Sequence, residues 1–212
     1  IESVIVTFDS AVIPFGDGQA PPPLSIQCDD PLAVGTGRWL DAKRWTYVFG
    51  QRLEPGISCT AQAVPSFRSI DNTSLSGKNN FAFQTGGPYV VRSQPYDGAT
   101  IAHDQIFALQ FNGKIDSQSL IQNSQCIVEG LGESVPLRVI EGSDRDELLK
   151  PLYWSEQDMP SVQLVQCKRT LASEAAVQLQ IGPGVSTVAA GARPASANTQ
   201  AHVFNFKVEE PF

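Results

Sequence analysis

A chain of 212 residues with a formal net charge of -7 and a pI near 4.8 offers nucleic acid no basic face. No run of Lys and Arg exceeds Lys168-Arg169. Hydrophobic residues at 42% against 17% charged are enough for a packed core and exclude wholesale disorder. No stretch approaches the roughly 18 apolar residues of a membrane span. The chain opens at Ile1 almost inside a strand pattern, and reads as a piece of a longer protein with any targeting segment upstream.

The opening phrase, Val4-x-Val6-x-Phe8, alternates as a half-buried strand does, with Ala11-Val12-Ile13 expected to continue it as far as Pro14. Gly16-Asp17-Gly18 is a turn. Pro21-Pro22-Pro23 is extended but has no N–H groups to donate to a ladder. Leu24-x-Ile26-x-Cys28 is a short strand, and Gly35-Thr36-Gly37 reads as a turn into Arg38-Trp39-Leu40. Trp45-x-Tyr47-x-Phe49 alternates strongly, Leu53-Glu54-Pro55-Gly56 turns, and Ile57-x-Cys59-x-Ala61-x-Ala63 returns. Ser66 to Asn80 is polar and loop-like, and Phe81-x-Phe83 closes the segment. Gly86-Gly87-Pro88 is a short linker.

The same order then recurs. After Tyr89-Val90-Val91 and the turn Pro95-Tyr96-Asp97-Gly98, the phrase Phe107-x-Leu109-x-Phe111, followed by Ile115, repeats Val4-x-Val6-x-Phe8, followed by Val12. Asn112-Gly113 is a bend or bulge. Ser117 to Leu120 is a short helical turn, and Cys126-Ile127-Val128 and Val135-x-Leu137-x-Val139 are strands. Ser143 to Lys150 makes one or two helical turns within an extra charged segment running to Asp158. Val162 to Cys167 and Val177-x-Leu179-x-Ile181 are expected to pair, Val185 to Thr199 is expected to be a flexible loop, and Phe204-x-Phe206 closes as Phe81-x-Phe83 does. Setting Leu171 on Leu53 puts Cys167 on Phe49 and Val177 on Cys59.

A repeat of this length implies two copies of one folding unit, 1–87 and 88–212. Many short strands with turn chemistry between them, and no long 3.6-residue period, point to an all-β protein. The expected architecture is two tandem immunoglobulin-like β-sandwich domains, with Trp39 or Trp45 as a core tryptophan. Each unit holds two of the four cysteines, so the repeat selects the disulfides Cys28–Cys59 and Cys126–Cys167 among the possible connectivities. Such bridges belong to an oxidising compartment. The alternatives are buried free thiols or, less consistent with the spacing, a zinc site.

The chemistry-bearing residues have bland readings that win. His103 and His202 stand one per unit, without a G-x-S-x-G phrase, and read as surface histidines. Asp144-Arg145-Asp146-Glu147 lacks the oxygen register of a calcium loop and reads as a solvated helix face. Asn72-Thr73-Ser74 has the form of a glycosylation sequon. Tyr153-Trp154 has the makings of a sugar-stacking platform but reads better as packing. Cys59 and Gln62 have thioester spacing, yet residues three apart on a strand point to opposite faces. No catalytic residue, cofactor or metal ligand is expected.

Gly37-Arg38-Trp39-Leu40, Trp45-Thr46-Tyr47-Val48-Phe49, Leu53 to Cys59 and Phe83-Gln84-Thr85-Gly86-Gly87-Pro88 resemble the N-terminal region of bacterial α2-macroglobulin-like proteins. Phe111 to Asp116, Cys167 to Leu171 and Phe206 to Phe212 extend the resemblance over nearly the whole chain. It implies macroglobulin-like sandwiches of a large protein that traps proteases, periplasmic or lipid-anchored through an upstream segment. This chain, without Cys-x-Glu-Gln or a bait segment, would supply scaffold. Its partners would then be other domains of the same longer chain, and proteases the targets of the full-length protein. An adhesin or stalk module pair and an accessory carbohydrate-binding module are the alternatives.

Overall fold

A computed structural model describes residues 1–130, 134–190 and 193–210. Gly191 and Ala192 of the Ala/Gly/Ser-rich loop, and Pro211 and Phe212 of the closing phrase, lie outside the described residues. The protein is predominantly β, and its chain forms two compact units, Ile1–Thr85 and Gly86–Phe212.

In the first unit, six strands form two three-stranded sheets. They are β1 (Ser3–Thr7), β2 (Leu24–Cys28), β3 (Gly35–Trp39), β4 (Arg44–Phe49), β5 (Ser58–Ala63) and β6 (Asn80–Gln84). The orders are β1-β4-β3 and β2-β5-β6, all antiparallel. Alternation sends Val4, Val6 and Phe8 inward onto Trp39, Trp45, Tyr47 and Phe49, while Ser3, Ile5 and Thr7 face outward. Both Trp39 and Trp45 are buried, and in the same cluster. The Trp39 Nε1–H donates to the Ala20 and Pro21 carbonyls at 3.2 and 3.3 Å, so the start of the proline run serves as a hydrogen-bond acceptor.

Two expectations fail here. Gly35-Thr36-Gly37 is not a turn but most of edge strand β3, paired with β4 from Gly35↔Phe49 to Trp39↔Trp45. Its glycines are sites of close approach. A Cβ on Gly37 would lie 2.2 Å from Trp45 Cζ2, and one on Gly35 2.2 Å from the Val48 carbonyl oxygen. Ala11-Val12-Ile13 does not continue β1. Instead the Val12 N–H caps the Ala42 carbonyl at 2.8 Å, and both Val12 and Ile13 plug the core from a loop.

The second unit has eight strands: β7 (Val90–Gln94), β8 (Thr100–Ile101), β9 (Ile106–Phe111), β10 (Ser124–Val128), β11 (Ser134–Ile140), β12 (Val162–Cys167), β13 (Ala176–Ile181) and β14 (His202–Val208). Helix α1 (Ser117–Asn123) precedes β10, and α2 (Gly142–Leu149) follows β11. The strand order is β7-β9-β12-β11-β10-β13-β14-β8. Strand β11 belongs to two ladders, pairing β10 through its first residues and β12 from Leu137 to Ile140. Both arms contribute to one core, with Phe107, Leu109, Leu137, Leu179, Phe204 and Phe206 among its members.

Strands β12 and β13, expected to pair, are not neighbours: β12 lies between β9 and β11, and β13 between β10 and β14. Both are apolar enough to be central, and the link through Leu171 crosses from one arm to the other, as Leu53 does between β4 and β5. The two leucines are equally buried, at 4% exposed. The described residues of 185–199 are also not a free loop. Asn198 donates its amide to the Gly182 and Gln200 carbonyls and accepts from the Val185 N–H at 2.9 Å, while Val185 and Thr187 are buried.

The repeat is one of topology. Adding eight to each strand number of the first unit turns β1-β4-β3 into β9-β12-β11 and β2-β5-β6 into β10-β13-β14, runs of the second unit's order. Register agrees as well. Cys59 faces Phe83 as Val177 faces Phe206, and Val4 faces Tyr47 as Phe107 faces Val165. Strands β7 and β8 have no counterpart in the first unit.

Candidate interaction surfaces

The four cysteines form the two expected bridges, Cys28–Cys59 and Cys126–Cys167. Cys28 and Cys59 are directly opposed on neighbouring strands β2 and β5. Cys126 on β10 instead reaches Cys167 on β12, past β11, with both sulfurs in the core. The repeat therefore keeps the first cysteine's strand and changes its partner's. Since Cys59 is bonded to Cys28, it has no thiol to condense with Gln62. Two such bridges are the chemistry of an oxidising compartment, which puts the chain in the envelope or outside the cell.

The histidines are far apart in role. His103 Nδ1 lies 2.9 Å from the Leu171 carbonyl, and His202 stacks on Phe204 with ring centroids 4.3 Å apart. The sequon asparagine, Asn72, sits in a turn at φ 57°, its N–H donating to the Ser69 carbonyl.

The charged segment of the second unit covers its own sheet. Strands β9 and β12 are apolar on both faces, and Ile106, Ala108, Val162 and Leu164 face away from the main core. Leu149, Leu152, Trp154 and Met159 close over them. The Arg145 guanidinium, from the acidic cluster, donates to the Met159 carbonyl and, at 3.0 Å, to the Val162 carbonyl, pinning α2 to the start of β12. Trp154 packs in this layer with the Arg92 guanidinium 4.3 Å from its ring centroid, so neither ring face is a free stacking platform. What projects is Tyr153, 92% exposed and in the left-handed region at φ 53°.

The concave surfaces include one of about 580 Å³ over the Cys28–Cys59 bridge and Ala82 to Gln84 of β6, and one of about 200 Å³ beside Phe15 and Trp39. Two others gather side chains of one kind. One, of about 510 Å³, gathers Arg138, Lys168 and Arg169 around Asp104, Gln166 and Thr170 beside Cys167. Arg138 is fixed there by the Gln166 carboxamide, which it reaches through Nε at 2.8 Å. The other, of about 270 Å³, opens in the first unit where β1 and the start of β6 come close. Its wall is apolar (Val6, Phe8, Leu24, Ala63, Leu75 and Phe81), with Asp9 and Lys78 among its polar lining residues.

Among the described residues, one titrating group departs from its ordinary behaviour. Asp41, in the turn between β3 and β4, accepts from the Lys43 N–H at 2.8 Å, from the Arg44 guanidinium at 2.7 Å and from the Arg44 N–H at 2.9 Å. These bonds, the one from Lys43 foremost, hold its carboxyl below the usual aspartate range.

No protein-family model and no curated protein matches the chain. Among solved structures, it is similar to the N-terminal part of the bacterial S-layer protein SbsC, at 12% identity and a TM-score of 0.36, over 59% of this chain and 24% of that one. It is also similar to domains 1–6 of surface layer protein SbsC, at 15% identity and a TM-score of 0.34, over 59% of this chain and 14% of that one. The chain thus spans less than a quarter of either.

Proposed function

We propose that this chain is a non-catalytic scaffold segment: two immunoglobulin-type β-sandwiches in tandem, from the N-terminal region of a bacterial α2-macroglobulin-like protease trap of the cell envelope. The observation that carries the reading is the shared strand order. In an immunoglobulin-type sandwich, strands B, E and D form one sheet and C, F and G the other. Taking β1 to β6 as B to G, the first unit has B-E-D and C-F-G, and β9 to β14 repeat it. Strand β7 then takes the place of A beside B. Strand β8, parallel to β14, takes the place of a second A segment that has crossed to G. One disulfide within each unit supports an extracytoplasmic site, of which the periplasm is the finer choice.

A sandwich pair of this kind spaces and orients other domains, and the residues that would act on a protease belong to the rest of the longer chain. The test is to express the full-length gene product and incubate it with a protease. Loss of activity on a large protein substrate, with activity on a small peptide retained, is expected, whereas residues 1–212 alone leave both activities intact. A full-length gene consisting of tandem copies of this unit ending in a wall anchor would overturn the reading.

A further inference from the structure

The repeated phrases are buried to different depths. In the second unit, Phe107, Leu109 and Phe111 of β9 are 0%, 0% and 2% exposed, and Phe204 and Phe206 of β14 are both 5%. Their counterparts in the first unit are not sealed. Val4 and Val6 of β1, Phe8 just after it and Phe83 of β6 are only half-buried, and Phe81 is 42% exposed. The side chains are of the same kind at the same register, so what differs is the cover.

The backbone shows what is missing. Phe8 N donates to the Lys43 carbonyl and Phe49 N to the Glu2 carbonyl. By antiparallel alternation, Glu2, Val4, Val6 and Phe8 bond to β4, and the N–H and C=O of Ser3, Ile5 and Thr7 point away from it. Thr85 N donates to the Ile57 carbonyl and Ala63 N to the Asn79 carbonyl. The same alternation turns Ala82 and Gln84 of β6 away from β5. Among the described residues, no main chain meets either row. In the second unit both rows are met. Strand β7 pairs along β9 at Ala108 and Gln110, the counterparts of Ile5 and Thr7. Around β8, Gly98 donates to the Asn205 carbonyl and Lys207 donates to the Ala99 carbonyl, and Asn205 and Lys207 are the counterparts of Ala82 and Gln84. The apolar groove of about 270 Å³ opens on this side of the first unit, with Val6 and Phe81 in its wall.

We infer that the first unit is a strand acceptor. Its β1 and β6 edges and the groove between them take one extended segment of alternating apolar residues, antiparallel to β1 and crossing to run parallel to β6. The segment's source follows from the second unit, where the occupants Val90–Gln94 and Thr100–Ile101 immediately precede β9 in the chain. The corresponding donor is the stretch leading into Ile1 in the longer protein, binding in cis by main-chain hydrogen bonds with its apolar side chains in the groove. The inference rests on strand order and burial and not on the protease-trap reading.

Hydrogen–deuterium exchange on residues 1–212, beside the same protein preceded by the residues its gene encodes ahead of Ile1, tests it. Amides of β4 and β5 report that the unit is folded in both. In 1–212, the Ser3, Ile5, Thr7, Ala82 and Gln84 amides are expected to exchange at least 100-fold faster than those of β4. In the longer protein they should slow at least tenfold, with a higher melting temperature for the first unit. Unchanged exchange at both edges, with β4 and β5 protected, would overturn the proposal. So would edge protection in 1–212 that grows with protein concentration, which assigns the edge to a second copy. Neither outcome bears on whether the full-length protein traps proteases.

Discussion

Gly37→Ala sets two effects of opposite sign against each other in one residue. Replacing a strand glycine ordinarily stabilises by about 0.5–1 kcal/mol, because the unfolded chain loses freedom. At Gly37 the new methyl would sit 2.2 Å from Trp45 Cζ2, 2.8 Å from Cε2 and 3.0 Å from Nε1. Ordinary contact begins near 3.4 Å, so the overlap with the nearest carbon exceeds an ångström. The ring cannot swing clear, since Trp45 is 1% exposed and packed among Trp39, Tyr47 and Phe67. Overpacking of this kind costs about 1–3 kcal/mol, and contact with three ring atoms puts the clash at or above the top of that range. The net expectation is a first unit destabilised by about 2 kcal/mol. Urea unfolding followed by tryptophan fluorescence measures it in a Trp154→Phe background, where Trp39 and Trp45 alone report. Gly50→Ala, whose methyl would meet only the Val34 carbonyl oxygen at 3.5 Å, is the control and should be neutral or mildly stabilising. With Trp45→Phe, which removes Cζ2, the cost of Gly37→Ala should fall below about 0.5 kcal/mol, as expected for residues that couple directly. A Gly37→Ala protein within about 0.5 kcal/mol of its parent would refute the reasoning.

Other outcomes follow from the same geometry. Replacing Cys126 and Cys167 together by alanine reopens a 41-residue separation and should cost the second unit about 4 kcal/mol in the chain-entropy model, read by thermal unfolding. Intact mass should rise by about four protons on full reduction if both bridges are present. Phe204→Ala, at a 5% exposed site, should cost its unit about 3–5 kcal/mol, and Phe81→Ala, at 42% exposed, no more than about half that, compared by exchange protection in each unit. Asp41 should titrate below an ordinary aspartate by carboxyl NMR. Because its folded pKa is depressed, its stabilising effect is complete above the unfolded pKa and is lost as pH falls through the folded one, and Asp41→Asn should remove that acid-side dependence.

The strands were legible where alternation was strong. Val4-x-Val6-x-Phe8, Trp45-x-Tyr47-x-Phe49, Phe107-x-Leu109-x-Phe111 and Phe204-x-Phe206 all lie in strands or at their ends, in the repeated order the sequence shows. The cysteine pairing was legible too, because the repeat restricts each cysteine to its own half. What escaped depends on contacts far away in sequence. Gly35 and Gly37 have turn chemistry, and only the rings of Tyr47 and Trp45 crossing β3 explain why glycine serves there as strand. The Gly35 N–H even donates to the Tyr47 hydroxyl, at 2.8 Å. Pairing β12 with β13 was the nearest-neighbour guess, whereas strands in opposite arms of one core look the same to a period-2 pattern. The composition of residues 185–199 suggests mobility, and bonds to its described residues from distant side chains, Ser119 to the Ser186 N–H among them, together with those of Asn198 and Thr187 within it, tie the segment down.

The extra charged segment of the second unit was the natural place to look for a partner, and the structure assigns its apolar residues to a different task. Strand β12 reads Val162-Gln163-Leu164-Val165, with apolar residues on both faces, and β9 matches it with Ala108 between Phe107 and Leu109. A sheet of that composition needs cover on its outer side, and Leu149, Leu152, Trp154 and Met159 provide it. The corresponding strands of the first unit place Ile5 and Thr7 on β1, and Arg44 and Val48 on β4, on the outside and exposed, with only the small, polar Thr46 buried between them. The two units therefore meet opposite demands. In the second, the chain itself supplies an edge strand to each arm and a cover for the outer face. In the first, the outer face has few apolar groups to cover and the edges are open. On the strand-acceptor proposal, main-chain pairing with an added segment is consequently confined to the first unit, where unpaired amides and half-buried Val6 and Phe8 lie with Phe81. A side-chain-mediated contact on the second unit falls instead to Tyr153 or to the Arg138, Lys168 and Arg169 groove.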